Sequence, residues 1–491
     1  MSAVHDPTEL AAEAPGPLYA SRVRVYPRAV RGPVRRFKWA VLIACLAIYY
    51  ALPWLRWDRG PSMPDQAVLL DIWNERFYFF GLTLWPQDFY ILTGLLILGA
   101  LSLFLVTSVF GRVWCGYSCP QTVWTDLFMW VERLIEGDRN ARMRRDASPL
   151  SLDKTWRKTA KHAIWLGIAF WTGGAWITYY VDAPSVTRAF WTFNASTPVY
   201  FFTFLFTGTT YALAGWAREQ VCTYMCPWPR FQSAMLDEQT LIVTYQGWRG
   251  EPRGHGKRTP DAAQARTDAP PLGDCVDCSA CVNVCPTGID IRDGVQLECI
   301  NCGLCVDACN EVMQKVGAQP WLITWDTLAR QAARKQGQAL PIRWWRLRTM
   351  LYAGALLLVA VAITAGLVLR PVTSLSVLHD RAPLFVPLRD GSLRNGYTLK
   401  VDNKTPHATT FALTTAGLPD ATMILSEQSA AKRHELALPV AAESVGTFRV
   451  VVQGRPTALR DGKQPLDFVL RDPQSGRRVT YRSLFVGPHG S

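Results

Sequence analysis

Eight of the thirteen cysteines form two runs with one spacing, Cys-x2-Cys-x2-Cys-x3-Cys. A cuboidal [4Fe–4S] cluster needs four thiolates that point inward from a tight loop. In bacterial ferredoxins with two clusters, three thiolates come from one run and the fourth comes from the other. The spacing therefore predicts two clusters, one held by Cys275, Cys278, Cys281 and Cys309 and the other by Cys299, Cys302, Cys305 and Cys285.

A pair of four-cysteine zinc sites is the alternative for these runs. Zinc rarely uses three cysteines at x2 spacing followed by x3-Cys, and here this spacing occurs twice. A disulfide framework fits less well, because we predict below that this segment faces the reducing cytoplasm. The second run departs at one position, since Asn310 follows Cys309 where Pro286 follows Cys285. We expect this difference to change a turn and to remove no ligand.

Four further cysteines repeat a second pattern, Cys-x-Tyr-x-Cys-Pro, each time after a long apolar run. The two copies are Cys115 and Cys119 with Pro120, and Cys222 and Cys226 with Pro227. The i, i+4 spacing puts both thiols on one side of a helical turn, and proline suits the first position of a new helix. A helix N-terminus lowers the pKa of a thiol, and the neighbouring Arg112 and Arg218 act in the same direction. We therefore predict thiolates at the edge of a membrane domain.

Four thiolates brought together would favour a soft metal such as Cu(I), a further iron–sulfur centre, or zinc. Alternatively, the pairs are dithiols that cycle to disulfides, or four ordinary buried cysteines. The duplication favours a functional role, and it indicates that the two flanking helix pairs form a pseudo-repeat. We assign these four residues as the catalytic set and as candidate copper ligands: Cys115, Cys119, Cys222 and Cys226.

Other candidate residues carry weaker signals. Cys45 lies alone in the first apolar stretch, where a small packing residue is expected. His162 opens the third stretch, where an interfacial position is a simpler interpretation than contact with a quinone or a metal. The histidines of the C-terminal part show no paired spacing, so we predict no copper site there; they are His379, His407, His434 and His489.

Five uncharged stretches are long enough to cross a bilayer about 30 Å thick. They lie at 39–55, 89–111, 163–181, within 189–217, and at 349–369. Seven Lys and Arg precede the first stretch and ten lie between the second and third, whereas the two opposite loops hold three and one. Basic loops stay in the cytoplasm. The sequence thus predicts five transmembrane helices, a cytoplasmic N-terminus and a C-terminus outside, in the periplasm of a Gram-negative host.

The fold class that follows is a multi-domain membrane protein. We predict a helical membrane domain, a cytoplasmic two-cluster ferredoxin-like α+β insert and a C-terminal all-β immunoglobulin-like sandwich, because the last 121 residues alternate apolar and polar positions between turns. The predicted boundaries are 1–36 for a flexible cytoplasmic tail, 37–235 for four membrane helices with both thiol motifs, 236–348 for the linker and cluster domain, 349–370 for the fifth helix, and 371–491 for the β domain.

The charge balance fits this topology better than it fits nucleic-acid binding. The 491 residues include 52 Lys and Arg against 39 Asp and Glu, a net charge of +13. No zinc finger or RNA-recognition motif accompanies the excess, so we attribute it to cytoplasmic loops and predict no nucleic-acid partner.

Three segments together resemble the FixG/RdxA/CcoG family of cytochrome c oxidase accessory proteins. They are GRVWCGYSCPQTVWTD (111–126), CTYMCPWPRFQSAMLDEQTLIVTY (222–245) and the cysteine-rich segment from CVDCSACVNVCP onward (275–313). The resemblance covers most of the chain, including the helices and the β domain. It implies a polyferredoxin of the bacterial inner membrane that acts in assembly of the cbb3-type oxidase and reduces Cu(II) to Cu(I) on the cytoplasmic side.

The residues and the resemblance lead to one functional hypothesis and two alternatives. The hypothesis is an oxidoreductase, a cupric reductase, with an unidentified electron donor and with oxidase subunits or copper-handling assembly factors as partners of the outer β domain. The first alternative is a quinol-linked membrane ferredoxin of a respiratory chain. The second is a non-enzymatic assembly scaffold whose clusters are structural.

Overall fold

The computed structural model describes residues 24–60, 63–255, 272–405, 407–426, 432–455 and 462–488. Most of the predicted N-terminal tail, residues 256–271 of the predicted linker, and His489 lie outside these residues. The described chain divides into two compact units. The larger takes the residues up to Leu55 and from Gln66 to Val361, and the smaller takes Arg56–Asp65 and the residues from Ala362 onward.

Helices dominate the larger unit. In chain order they are α1 Pro33–Ala51, α2 Phe89–Phe110, α3 Val113–Tyr117, α4 Pro120–Glu136, α5 Arg139–Ala147, α6 Leu152–Ile177, α7 Ala183–Trp191, α8 Thr197–Thr210, α9 Trp228–Met235, α10 Gly247–Gly250, α11 Ala280–Val284, α12 Leu304–Val316, α13 Leu328–Lys335 and α14 Leu347–Val368. Two π-helical segments, Tyr211–Ala217 and Val221–Met225, follow α8.

Strands form two small sheets in the larger unit and two larger sheets in the smaller one. They are β1 Val68–Asp71, β2 Arg76–Phe79, β3 Leu82–Leu84, β4 Ile242–Tyr245, β5 Ile323–Asp326, β6 Thr373–His379, β7 Val386–Pro387, β8 Leu393–Asn403, β9 Thr409–Ala416, β10 Thr422–Leu425, β11 Glu435–Val440, β12 Ser444–Gly454, β13 Lys463–Arg471 and β14 Arg478–Val486.

Three helical segments are long and apolar enough to cross a membrane: Pro33–Trp54, Pro86–Phe110 and Leu347–Val368. They have 22, 25 and 22 residues, and few or none of their residues are buried within the protein. An apolar surface of this length that the protein does not cover is stable in lipid. The first, second and fifth predicted stretches therefore correspond to membrane helices.

The third and fourth predicted stretches have a different character. Helix α6 has 26 residues, but five charged side chains lie in its first ten positions. Helix α8 has only 14 α-helical residues before the backbone becomes π-helical at Tyr211. Helix α6 is long enough but more polar than the other three, and α8 is shorter than they are, so five crossings remain a prediction.

The chain segments that follow α1 and α6 nevertheless lie side by side. The Gln66 side chain donates to the carbonyl of Thr178 at 2.7 Å and accepts from the backbone N–H of Ala183 at 3.0 Å. The N–H of Leu70 donates to the carbonyl of Tyr179 at 2.8 Å. The C-terminal ends of α1 and α6 therefore lie at one end of the helical domain.

A three-stranded antiparallel sheet, in the order β1-β2-β3, fills the connection between α1 and α2. We predicted only a loop in this connection. The strands are three or four residues long, and strands that short give almost no alternating pattern.

The cysteine-rich segment is α+β. Strand β4 pairs antiparallel with β5, and helix α12 packs beneath them. Val243, Val306, Met313, Leu322 and Ile323 form the buried core together with three of the cysteines. Strand β4 precedes the predicted linker in sequence and β5 follows the cysteine runs, so the pair joins the two ends of this segment.

The C-terminal unit is all-β. One sheet has the order β10-β12-β8-β6 with β7 added against β8, and the other has the order β11-β9-β13-β14, all antiparallel. Burial alternates along β8 and β13, and both sheets contribute to one apolar core. The core contains no disulfide because this domain has no cysteine.

Candidate functional site: two cysteine quartets and four membrane-edge thiols

The two cysteine runs have the same local backbone. The residue before the second cysteine of each run has a positive φ, 52° at Asp277 and 56° at Asn301. The residue after that cysteine does too, 51° at Ser279 and 70° at Gly303. Asp, Asn and Gly tolerate this left-handed conformation best. The repeated turn places three thiols around one point in each run.

The first quartet brings Cys309 to the first run. Cys275, Cys281 and Cys309 are buried in one core. Burial and the nearby thiols of Cys281, Cys278 and Cys275 together raise the pKa of Cys309 to about 12. The last cysteine of the second run thus completes the set begun by the first three of the other run.

The second quartet lines a small cavity. The lining includes Cys285, Cys299, Cys302 and Cys305. Backbone N–H groups of Asn301 and Leu304 donate to the sulfurs of Cys299 and Cys302. Four inward thiols, a cavity and N–H donors directed at sulfur fit a [4Fe–4S] cluster. The assignment of the eight cysteines to two interleaved ligand sets stays a prediction, and these neighbours are the ones it requires.

The four remaining patterned thiols converge at the ends of short helices. Cys115 lies in α3, and Cys119 directly precedes Pro120, the first residue of α4. Cys222 lies in the π-helical segment, and Cys226 precedes Pro227 and α9. Burial and the nearby thiols of Cys119, Cys115 and Cys226 together raise the pKa of Cys222 to about 12. The two copies of the motif therefore meet.

The predicted lowering of the thiol pKa values is wrong for the protein without metal. Burial raises the pKa of Cys115 to about 11, and Arg112 opposes this only in part. Arg218 does not assist, because its guanidinium lies 3.1 Å from the carboxylate of Glu132 and over the Trp165 ring. Desolvation disfavours the charged thiolate, and it outweighs the helix N-terminus here.

No three Cys, His, Asp or Glu side chains lie close enough to hold a single metal ion, within the part of the chain that the structure describes. The membrane-edge thiols are thus neighbours and not a closed four-ligand cage in this conformation.

The first thiol motif packs directly against the loop of the second quartet. A Cβ atom added at Gly116 would lie 2.7 Å from the carbonyl oxygen of Ile300 and 3.0 Å from the Cα of Cys302. The Tyr117 hydroxyl donates to the carbonyl of Cys302 at 3.1 Å. Cys115 and Cys302 also share one buried core. The motif glycine therefore permits contact between backbones.

The second thiol motif lines a cavity of about 870 Å³. Cys222, Met225 and Cys226 contribute one side, and Leu297 and Glu298 contribute another. Glu298 directly precedes Cys299 of the second quartet. Both motifs thus adjoin the second quartet, one by packing and the other across a cavity.

Comparisons with known proteins agree with this arrangement. A 4Fe-4S dicluster domain matches residues 217–328, a 4Fe-4S binding domain matches 92–137, and an IG-like fold at the C-terminal of FixG matches 363–488. The chain is 46% identical over 505 residues to nitrogen fixation protein FixG of Rhizobium meliloti (strain 1021), covering 97% of this chain and 95% of that protein. The chain belongs to the FixG/RdxA family.

Two more members of the FixG/RdxA family come from Cereibacter sphaeroides. Protein RdxA is 46% identical over 96% of this chain and 99% of its own length, and protein RdxB is 45% identical over 96% and 97%. The chain is therefore a membrane-integral iron–sulfur protein of the FixG/RdxA family with a function in electron transfer. The 4Fe-4S binding domain that matches 92–137 includes Cys115 and Cys119.

The sequence of this FixG/RdxA protein gives no signal for two residues of the site, Gln232 beside the first thiol motif and Asp307 between the cluster domain and α1. Gln232 accepts a hydrogen bond from the Cys115 thiol at 3.1 Å and is fully buried. Asp307 accepts from the backbone N–H groups of Val34 and Arg35 at the start of α1. A lone Gln or Asp far away in sequence gives no spacing pattern, so only the fold reveals these contacts.

The two weaker candidates have ordinary surroundings. His162 Nδ1 is 2.9 Å from the Tyr211 hydroxyl, and its ring stacks on Trp216. Cys45 is half-buried in α1. The described histidines of the β domain, His379, His407 and His434, form no metal-binding group.

Proposed function

We propose that this protein is an electron carrier of the bacterial cytoplasmic membrane that reduces Cu(II) to Cu(I) for the assembly of a cbb3-type cytochrome c oxidase. The observation that carries the proposal is the contact of Gly116 with the Ile300–Cys302 backbone. It puts the first thiol motif against the loop of the second quartet. When bound, the two clusters supply one-electron transfer.

Copper is the substrate, and the cavity beside the second motif is its proposed entry. Glu298 offers a hard oxygen that suits Cu(II), whereas Cys222, Cys226 and Met225 offer soft sulfur that suits Cu(I). Each Cu(II) takes up one electron. Because burial raises the pKa of the Cys222 thiol, this thiol releases a proton when it binds copper as a thiolate. Soft ligands bind the product better than the substrate, which favours reduction.

The proposed topology has five crossings, with the N-terminus, both quartets and the membrane-edge thiols in the cytoplasm. The position of the Gln66 contacts, at the shared end of α1 and α6, supports a full traverse by α6. The β domain then lies outside, where it would bind an oxidase subunit or a copper-handling assembly factor.

Anaerobic stopped-flow mixing of the reduced, fully loaded protein with Cu(II) tests the proposal. Cluster reoxidation is followed by absorbance while a chromogenic chelator traps Cu(I). We expect one Cu(I) per electron in the wild type and in Cys45→Ser, the matched control for loss of a cysteine. We expect loss of Cu(I) formation in the variant with serine at Cys115, Cys119, Cys222 and Cys226. Equal rates in that variant would contradict the proposal.

A second candidate, quinol-linked electron transfer, is favoured by one cavity. An apolar cavity of about 700 Å³ lies among α1, α6, α7 and α8, and its lining includes Tyr50, Phe170, Trp171, Phe190 and Trp191. Aromatic walls with a few hydroxyl groups suit a quinone ring. Reduction of the oxidised protein by a short-chain quinol, lost on Trp171→Ala, would favour this function.

A further inference from the structure

Arg112 differs from the other buried cations of this protein. Six Lys and Arg side chains are buried among the residues that the structure describes. Five of them lie within 3.4 Å of a carboxylate of Asp126, Glu132 or Glu136; these five are Arg35, Lys38, Arg142, Lys161 and Arg218. Arg112 is 4% exposed, and no carboxylate of the described residues pairs with it.

The contacts of Arg112 place it between the first thiol motif and the second quartet. One guanidinium nitrogen donates to the carbonyl of Leu297, two residues before Cys299. Its Nε donates to Gln232 Oε1 at 3.4 Å, and that oxygen also accepts from the Cys115 thiol at 3.1 Å. Burial raises the pKa of both Cys115 and Cys299, and Arg112 opposes the rise at both.

A buried charge without a counter-ion is costly, so the protein must supply an anion. The groups next to Arg112 that can become anionic are thiols. We infer that the second cluster, which four thiolates hold when it is bound, is the counter-ion of Arg112, and that Arg112 raises the reduction potential of this cluster. A cluster held by four thiolates is negatively charged, and each added electron increases the attraction to a neighbouring cation.

Arg292, a described cation beside the first quartet, differs from Arg112. It lies near Cys281, but Asp290 and Asp277 pair with it at 2.6 and 2.5 Å. Its charge is therefore already balanced. Arg112 acts as a positioning residue for the second cluster, which adjoins the membrane-edge thiols.

EPR-monitored redox titration of the fully loaded, copper-free protein tests this inference. For Arg112→Gln we expect the reduction equilibrium of one cluster to fall about tenfold, from the Coulomb energy of one nearby charge, which is about 59 mV for one electron. The other cluster should keep its potential. Arg112→Lys, which retains the charge, should stay near the wild type.

Gln232→Glu provides a second variant that keeps Arg112 in place. The new carboxylate would supply the missing counter-ion at the oxygen that Arg112 already contacts, so we expect a shift of the same sign as in Arg112→Gln. Arg230→Gln is the control, because it removes one exposed cation that lines the cavity beside Cys222, Cys226 and Leu297, and it should leave both potentials unchanged.

Three results would overturn the inference: unchanged potentials in Gln232→Glu, an equal shift of both clusters, or the same shift in Arg230→Gln. If the Arg112→Gln protein does not bind its clusters, the redox titration of Gln232→Glu alone tests the inference. The titration contains no copper, so its outcome is independent of whether the protein reduces Cu(II). The inference rests only on the clusters and the thiols.

Discussion

The glycine between Cys115 and Tyr117 controls how closely the first thiol motif approaches the second quartet. In Gly116→Ala the new Cβ would meet backbone atoms of Ile300 and Cys302 at 2.7 to 3.0 Å, and backbone cannot move aside as a side chain can. We expect a loss of about 1–3 kcal/mol in the free energy of unfolding and slower reoxidation of the clusters by Cu(II). Thermal unfolding and stopped-flow absorbance measure the two effects.

Gly99→Ala is the matched control for that substitution, since a Cβ there meets no atom within 4 Å. It lies in α2, where alanine is a better helix former than glycine. Its stability should equal or exceed that of the wild type. A Gly116→Ala protein with wild-type stability and wild-type reoxidation would show that the two backbones can separate without consequence.

At the scale of single residues, spacing predicts the ligands and not their surroundings. The interleaved cysteine sets follow from a local repeat, which the paired positive-φ turns reproduce in the structure. The protonation of Cys115 and Cys222 does not follow from spacing, because desolvation depends on which segments cover the thiols. The same holds for Arg218, which the sequence places near Cys222 and the fold directs to Glu132.

Among the helices, Glu132 of α4 forms buried ion pairs with α5, with α6 and with the residue that follows the first π-helical segment. Its carboxylate lies 2.7 Å from Arg142 of α5, 3.6 Å from Lys161 of α6, and 3.1 Å from Arg218. Glu132→Gln would leave these cations without their main counter-ion. We expect a loss of about 3–5 kcal/mol in the free energy of unfolding, measured by chemical denaturation in detergent.

Asp153→Asn is the control, because its pair with Arg157 is exposed and should contribute less than about 1 kcal/mol. Equal destabilisation by the two substitutions would contradict a structural role for the buried network.

The same network makes the protein sensitive to acid. Burial alone would raise the pKa of Glu132, but Arg218, Arg142 and Lys161 together lower it to about 2. A carboxyl group with a lowered pKa stabilises the fold above its unfolded pKa of about 4.3, and this stabilisation is lost as the pH falls toward 2. We expect the thermal unfolding midpoint of the wild type to decrease as the pH is lowered from 4.5 to 3. Glu132→Gln should show a smaller fall over this interval.

Helix α12 of the cluster domain caps the first membrane helix. Asp307 accepts hydrogen bonds from the N–H groups of Val34 and Arg35, at 3.3 and 2.7 Å. Asp307→Ala should therefore lower the free energy of unfolding by about 1 kcal/mol. Glu311→Ala is the control on the same helix, because Glu311 is exposed and pairs only with Lys315. Cluster absorbance during heating provides the measurement, and equal midpoints in the two variants would rule out a capping contribution.

At the scale of elements, long apolar helices and alternating strands are predictable, and segments stabilised by partners are not. Alternating apolar and polar residues predict strands in YTLKVDN (397–403) and TFRVVVQG (447–454), because this periodicity is local. The two fragments lie within β8 and β12. Helix α6 carries the buried Lys161, whose charge is balanced by Glu132 and Glu136 of α4. The sequence of α6 alone does not reveal these partners. The short strands β1 to β3 are held by pairing rather than by their own sequence pattern.

For the whole molecule, the side of the membrane on which the loop between α7 and α8 lies distinguishes five crossings from three. Five crossings place this loop outside, whereas three crossings by α1, α2 and α14 alone would leave it in the cytoplasm. The C-terminal β domain lies outside in both topologies, so its location cannot distinguish them. The hydrogen bonds of Gln66 to Thr178 and Ala183 favour the first topology, since they join this side of α6 to the segment that follows α1.

Labelling from outside with a membrane-impermeant maleimide decides between the topologies. All thirteen native cysteines lie before residue 310, in segments that we place in the cytoplasm or within a helix, so intact cells should give no background. We expect Asn194→Cys, in the exposed loop, to be labelled as strongly as Ser475→Cys of the β domain, and Glu311→Cys to be labelled only after lysis. If Asn194→Cys behaves like Glu311→Cys, then α6 and α8 do not cross the membrane. The buried charges of α6 would then lie beside the membrane, and the thiol motifs would rest on a three-helix anchor.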